Sequence, residues 1–281
     1  MPPTLHLLRH AQGYHSTSPE GHSLHDPHLT PHGFSQCASR RDAFPNHNSV
    51  ELLLASPLRR ALQTCQSTFS PAIETRKLKI IALPYAEEAS ADPCDTGSEI
   101  EVLQGEFGHG VDFDHVKHGW TRHEGDFEIS PPALAARARK LRAWIRARDE
   151  REIVLVSHGF FNHYITGDVN EKGEQTTGWW REAEWRSFEF AEGDDEGEAG
   201  LRETEGSKKR REEEEKAEGG SVEEKERARE KSGNREKEDG KQIPGDSTRY
   251  EIPLYHTPTV QGQRTHATLC VSTCSSRLWV T

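Results

Sequence analysis

Two histidines in this chain stand where they could do chemistry at phosphorus. His10 closes "LHLLRH" beside Arg9, and His158 closes "EIVLVSH" before Gly159. A third stretch, "SPLRRALQT" (56–64), puts Arg59 and Arg60 in the first turn of a helical run. A neutral imidazole among fixed guanidinium groups can attack phosphorus. Arginine forks and helix N-termini both hold a phosphate dianion. In-line displacement then needs only positive charge on the equatorial oxygens and an acid for the leaving group. No metal or other cofactor is required. Any one of these features is common by chance, but three such ends in one chain are not.

The surrounding elements must bring these ends together. Leu5–Leu8 reads as a buried strand. Thr30 at an N-cap with Pro31 at the first helical position opens a helix to about Phe44. "ELLLAS" (51–56) is a second strand, and Ser56-Pro57 repeats the cap signature before a helix to about Phe69. "LKIIAL" (78–83) is a third strand. Ser130-Pro131 opens a helix over 131–150 with Leu134, Ala138, Leu141 and Ile145 on one face. The continuous apolar run at 152–158 reads as a central parallel strand, and the alternating "WRSFEF" (185–190) as an edge strand. The pattern predicts a three-layer α/β/α domain with a mostly parallel sheet, which binds ligands beyond the carboxyl ends of its strands.

Composition bounds the rest. The 281 residues carry a net charge of −11, with 32% hydrophobic and 30% charged side chains, a low apolar share for a chain that folds throughout. No aromatic residue falls between Phe190 and Tyr250, where "SKKRREEEEKAEGGSVEEKERAREKSG" cannot bury enough apolar surface to offset its ordering entropy. The expected division is therefore a domain over 1–191, a solvated charged segment over 192–248 and a C-terminal segment of open structure over 249–281. The charged segment could serve as an arm for a protein partner. Its "KKRR" (208–211) is a weak nuclear signal among acidic neighbours, so a cytoplasmic location with a nuclear option is expected. No basic stripe supports nucleic acid binding, and no stretch suits a membrane span or a secretory leader. Five irregularly spaced cysteines fit a reduced compartment. Cys270-x-x-x-Cys274 lacks a second ligand pair, and the histidine-rich start (His15, His22, His25, His28, His32) lacks a carboxylate or thiol to complete a metal set.

At this point the chain resembles the histidine phosphatase superfamily, the phosphoglycerate mutase-like proteins. "LLRHAQG" is similar to the family's strand ending in Arg-His-Gly, "HDPHLTPHGFSQC" to its helix opening, "SPLRRALQT" to its arginine signature and "VLVSHG" to its late His-Gly strand. "PCDTGS" (93–98) looks most like fungal members. The match covers about residues 4–190. By position, the resemblance implies that His10 becomes the phosphohistidine, with Arg9, Arg60 and His158 around the phosphoryl group. It implies a carboxylic acid after the third strand as proton donor. Glu87 and Glu88 both stand there, and spacing to "PCDTGS" favours Glu88. Gln12 and Ser16, in the loop after His10, complete the expected phosphate and substrate contacts. Two departures stand out. Ala11 replaces the common Gly, and Ser16 replaces a common Asn, which shortens the grip at that position.

The expected substrate is a small phosphorylated compound and the expected reaction phosphomonoester hydrolysis. A phosphoglycerate mutase-type transfer is the alternative within the family. It is disfavoured because the segment 98–130 is short for a mutase. Its acids (Glu99, Glu101, Glu106, Asp112, Asp114, Glu124, Asp126, Glu128) also outnumber Lys117 and Arg122, which would repel a sugar bisphosphate. A catalytically idle phosphate- or peptide-binding module is the remaining reading, and the retention of His10, Arg60, Glu88 and His158 argues against it.

Overall fold

The computed structural model describes residues 2–191 and 199–217. Seven strands, β1 (Thr4–Arg9), β2 (Leu52–Ala55), β3 (Ile80–Ala82), β4 (Val111–Asp112), β5 (Glu152–Ser157), β6 (Trp185–Phe190) and β7 (Leu201–Glu203), form one sheet. Their order is β4-β3-β2-β5-β1-β6-β7. The strands from β4 to β1 run parallel, while β6 is antiparallel to β1 and β7 to β6.

Strand alternation sorts the core into two layers. Leu8, Leu53, Ala55, Val154 and Val156 meet Leu62, Cys65, Phe69, Ala72 and Leu103 from α2 (Arg59–Thr68), α3 (Ser70–Arg76) and α4 (Ile100–Phe107) with their junctions. Leu5, Leu7, Leu52, Leu54, Ile153 and Leu155 meet the Leu134–Ala138–Leu141–Ile145 stripe of α5 (Pro131–Arg146) and Phe161 and Ile165 of α6 (Gly159–Thr166). The first helix of the chain, Pro31–Ala43, is α1. Its cap is the expected one, with Thr30 Oγ1 accepting from Gly33 N at 2.9 Å. Each large apolar side chain buried this way contributes about 1.5–3 kcal/mol. The molecule is thus the three-layer α/β/α domain that the strand and helix pattern implied.

Several boundaries differ from the sequence expectation. Helix α2 begins at Arg59 and not after Ser56: Ser56 Oγ accepts from Leu58 N at 3.3 Å in the turn before the helix, and Asp26 Oδ1 accepts from Arg59 N at 2.9 Å. The expected end of α2 at about Phe69 holds, with Phe69 as the C-cap, but a separate helix follows at once. Strand β6 is not an edge strand, since β7 covers it.

The fold also does not stop at residue 191. Ala191 N donates to Gly200 O at 2.8 Å, β7 follows, and residues 205–217 are helical. That charged helix is held by named partners. Arg210 lies over the Trp185 ring, 3.7 Å from its centre, and donates to Trp185 O at 2.7 Å. Arg211 pairs with Glu203 at 2.9 Å, and Glu214 with Arg40 at 3.1 Å. Two of the four cations in "KKRR" are therefore committed to the domain. Residues 192–198 and 218–281, including the segment 249–281 and the Cys270/Cys274 pair, lie outside the described residues.

Candidate active site

Strand β5 lies between β1 and β2, and its register pairs Arg9 with Ser157. His10 and His158 therefore leave neighbouring strands at the same edge, with ring centres 5.1 Å apart. His10 Nδ1 is 2.8 Å from Ala11 O. A carbonyl only accepts, so Nδ1 carries the proton and Nε2 keeps its lone pair. Arg60 Nε donates to that Nε2 at 3.2 Å. Arg60 Nη2 also lies 3.1 Å from His158 Nδ1, which must accept, so His158 Nε2 donates to Ser56 Oγ at 2.8 Å. Burial first, and the Arg60 charge second, hold both imidazoles well below the usual histidine range.

Arg60 is 1% exposed and is fixed from behind. Its Nη1 donates to Cys94 O and its Nη2 to Asp95 Oδ1, each at 2.6 Å, and Ser90 Oγ donates to the other Asp95 oxygen at 2.6 Å. Asp95 was not singled out from the sequence. "PCDTGS" was visible as a motif, but nothing local says that its aspartate reaches an arginine 35 positions earlier. Arg59 diverges from its neighbour, pairing with Asp26 at 3.2 Å and Glu106 at 2.7 Å. Arg9 lies against Gly159, where an added Cβ would sit 3.0 Å from its Nε and push the guanidinium aside by a few tenths of an ångström. That Nε is buried and has no hydrogen-bond partner among the described residues.

The two candidate acids separate clearly. Glu87 Oε1 accepts from the buried Arg137 Nη1 at 2.8 Å, and Arg137 Nη2 also holds the Glu87 and Glu88 carbonyls. Burial pushes the Glu87 carboxyl up to about 8 although Arg137 pulls it down. Glu88 turns to the first turn of α6. Its Oε1 accepts from Phe161 N at 2.9 Å and Ala89 N at 3.0 Å, and its Oε2 from Phe160 N at 3.3 Å. Burial and the Asp95 charge raise the Glu88 carboxyl above the usual carboxylate range, against these bonds and Arg60.

Arg9, His10, Arg60, Glu88 and His158 thus share one cluster, whereas Ser16 does not join it. The Ser16 side chain is exposed, with its hydroxyl 2.9 Å from Glu182 Oε1 and 3.0 Å from Gly13 O. The reason is the one-turn 3₁₀ helix Tyr14–Ser16, which turns His15 inward and its two neighbours outward. His15 packs on His10 with ring centres 5.3 Å apart. Burial and Arg60 lower it to about 3. Gly13 makes this possible, since a Cβ there would lie 2.7 Å from His15 Nδ1. Gln12 is a tie to α1, its side-chain carbonyl accepting from Thr30 Oγ1 at 2.9 Å. His22 does meet a carboxylate and a thiol, Asp92 and Cys94, from a segment some seventy residues further on.

The chain has relatives. The chain belongs to the histidine phosphatase superfamily (branch 1), whose family pattern matches residues 5–200. It is 30% identical over 199 residues to a phosphoglycerate mutase-like protein of Arabidopsis thaliana, covering 57% of this chain and 72% of that one. It is 27% identical over 159 residues to a Schizosaccharomyces pombe protein named "Probable phosphatase", covering 56% and 74%. Among solved structures, a mycobacterial glucosyl-3-phosphoglycerate phosphatase overlaps 72% of this chain and 97% of that chain at 17% identity, with a TM-score of 0.48. No helix among the described residues is long and apolar enough to cross a membrane.

Proposed function

We propose that this chain hydrolyses small phosphomonoesters through a phosphohistidine on His10. The observation that carries the reading is the tautomer of His10, whose Nδ1 proton is tied to Ala11 O while the Nε2 lone pair faces Arg60. Substrate phosphate inserts between Arg60 and His10, and Nε2 attacks phosphorus in line with the leaving oxygen. Arg60, Arg9 and His158 hold the equatorial oxygens, and the unpartnered Arg9 Nε is one donor for them. Glu88 protonates the leaving alcohol. Its Oε1 already accepts two backbone bonds and its Oε2 one long one, so Oε2 is the oxygen that carries the proton. Water, deprotonated by the resulting Glu88 carboxylate, then cleaves the phosphohistidine and restores His10.

The acidic segment 98–130 favours transfer to water over transfer to a second phosphorylated sugar. The test is hydrolysis of p-nitrophenyl phosphate in EDTA, beside the His10→Ala variant. Turnover that persists in EDTA and falls by roughly a thousandfold or more in the variant supports the nucleophile. Wild-type-like turnover in His10→Ala overturns it. Release of inorganic phosphate, rather than its appearance on an added phosphoglycerate, separates hydrolysis from mutase-type transfer.

A further inference from the structure

We propose that His22, Asp92 and Cys94 form a site for a zinc-type divalent cation behind the Arg60 anchor. His22 comes from the short 3₁₀ helix Pro19–Ser23, and Asp92 caps the 3₁₀ turn Pro93–Asp95 that carries Cys94. His22 Nδ1 lies 3.5 Å from Asp92 Oδ2 and 3.8 Å from Cys94 Sγ, and all three donor atoms lie within 4.8 Å of one another. A tetrahedral zinc ion, with bonds of about 2.0–2.2 Å to N and O and about 2.3 Å to S, sets its N and O ligands about 3.4 Å apart and its N and S ligands about 3.6 Å apart. The two separations from His22 Nδ1 match those values closely, and rotation of the exposed Asp92 side chain can bring its carboxylate, already within 4.8 Å of Cys94 Sγ, to the third. One nitrogen, one oxygen and one sulfur suit a borderline-soft ion rather than magnesium or calcium, which take oxygen ligands.

The burial pattern is equally suited. Cys94 is 1% exposed and fixed in place, while the side chains of His22 and Asp92 are 59% and 57% exposed and give the ion a path from solvent. Three protein donors leave a fourth position for water, the pattern of a zinc ion that is not merely structural. On binding, the Cys94 S–H proton leaves to water and a sulfur–metal bond forms, with no change in oxidation state.

The site has a lever on the catalytic cluster. Cys94 O and Asp95 Oδ1 are the two anchors that hold Arg60 against His10 Nε2. A cation on Cys94 Sγ stiffens this turn in the arrangement where Arg60 covers the nucleophile, and so inhibits turnover. This consequence rests on the proposed phosphatase reading, whereas the cation site does not.

The experiment is a cobalt(II) titration of the full chain, read by the thiolate-to-cobalt charge-transfer band and competed with zinc. The band is expected in wild type, to be bleached by stoichiometric zinc, and affinity is expected to fall by about tenfold or more in both His22→Ala and Cys94→Ser. No band in wild type, or unchanged affinity in either variant, overturns the site. His22 is exposed, so its variant keeps the test valid if Cys94→Ser folds poorly. Zinc inhibition of p-nitrophenyl phosphate hydrolysis, relieved in His22→Ala, supports the lever, and full activity at saturating zinc overturns it. Absence of turnover without zinc counts against the phosphatase reading alone.

Discussion

Arg60 donates to His10 at the very atom that would attack phosphorus, with Nε 3.2 Å from Nε2, and the same guanidinium lies 3.1 Å from His158 Nδ1. One cation therefore adds to burial in keeping both imidazoles neutral, and it also covers the nitrogen proposed to attack. Arg60→Gln should lower kcat/KM by about 10²–10³ through loss of charge on the phosphoryl oxygens. It should also move the acidic limb of the pH–rate profile upward, because Arg60 is one cause of the depressed His10 pKa. A lower rate with an unmoved acidic limb would show that Arg60 does not control the nucleophile's protonation.

Three buried imidazoles make the fold itself sensitive to acid. His10, His15 and His158 all have folded pKa values below 6.5. The unfolded chain takes up these protons first, so stability is fully present above about pH 6.5 and is lost as pH falls through that value toward the folded pKa values. Each group contributes up to about 1.4 kcal/mol per pH unit in that window. His15→Gln should flatten the decline of stability between pH 6 and 4 by about one proton's worth, measured by urea unfolding across that range. An unchanged slope would place the acid sensitivity elsewhere.

Glu87 and Glu88 should separate into two different phenotypes. Glu88→Gln removes the proposed proton donor but keeps one oxygen to accept from Phe161 N and Ala89 N, losing only the long bond from Phe160 N, so kcat should fall by about 10²–10⁴ with little change in Tm. The alkaline limb set by the raised Glu88 pKa should disappear with it. Above about pH 8, where Glu87 is ionised, Glu87→Gln leaves the Arg137 cation buried without its counter-charge, which costs about 3–5 kcal/mol. Its effect should therefore appear in thermal unfolding. The reverse pattern would assign the acid to Glu87.

The segment beyond residue 191 should matter for stability. Ala199 is fully buried, Leu201 packs on the core, and the 205–217 helix covers Trp185. A chain ending at residue 191 should melt about 5–10 °C below one ending at residue 217, on the usual conversion of about 2–4 °C per kcal/mol for this size. Equal melting temperatures would make β7 and the helix dispensable.

What was legible in the sequence was local. Thr30-Pro31 announces α1 because cap and helix are adjacent, and the β5 run announces itself because both faces are buried. The starts of α2 and α6 were not legible for a shared reason: their N-terminal amides are satisfied from a distance. Asp26 bonds Arg59 N, and Glu88 bonds Phe160 N and Phe161 N. Ser56, read as a cap, accepts from Leu58 N in the turn before the helix and also from His158. The site shows the same division. Arg9, His10 and His158 stand at strand ends, whereas Asp95 and His15 depend on a turn geometry that composition does not encode. The 205–217 helix was hidden because charged side chains, taken as a mark of solvation, here find opposite charges and an aromatic ring on the domain.

The late insertion of β5 between β1 and β2 sets when this protein can begin to work. His6 meets Glu152 across 146 positions, and both histidines of the cluster depend on that pairing. During synthesis the first four strands emerge with their central partner still missing, leaving β1 and β2 with open edges on the ribosome. Such non-local closure folds slowly and exposes the nascent chain to mispairing. The cluster of His10, Arg60 and His158 and the middle of the sheet are therefore completed in the same step, so a half-made chain has neither.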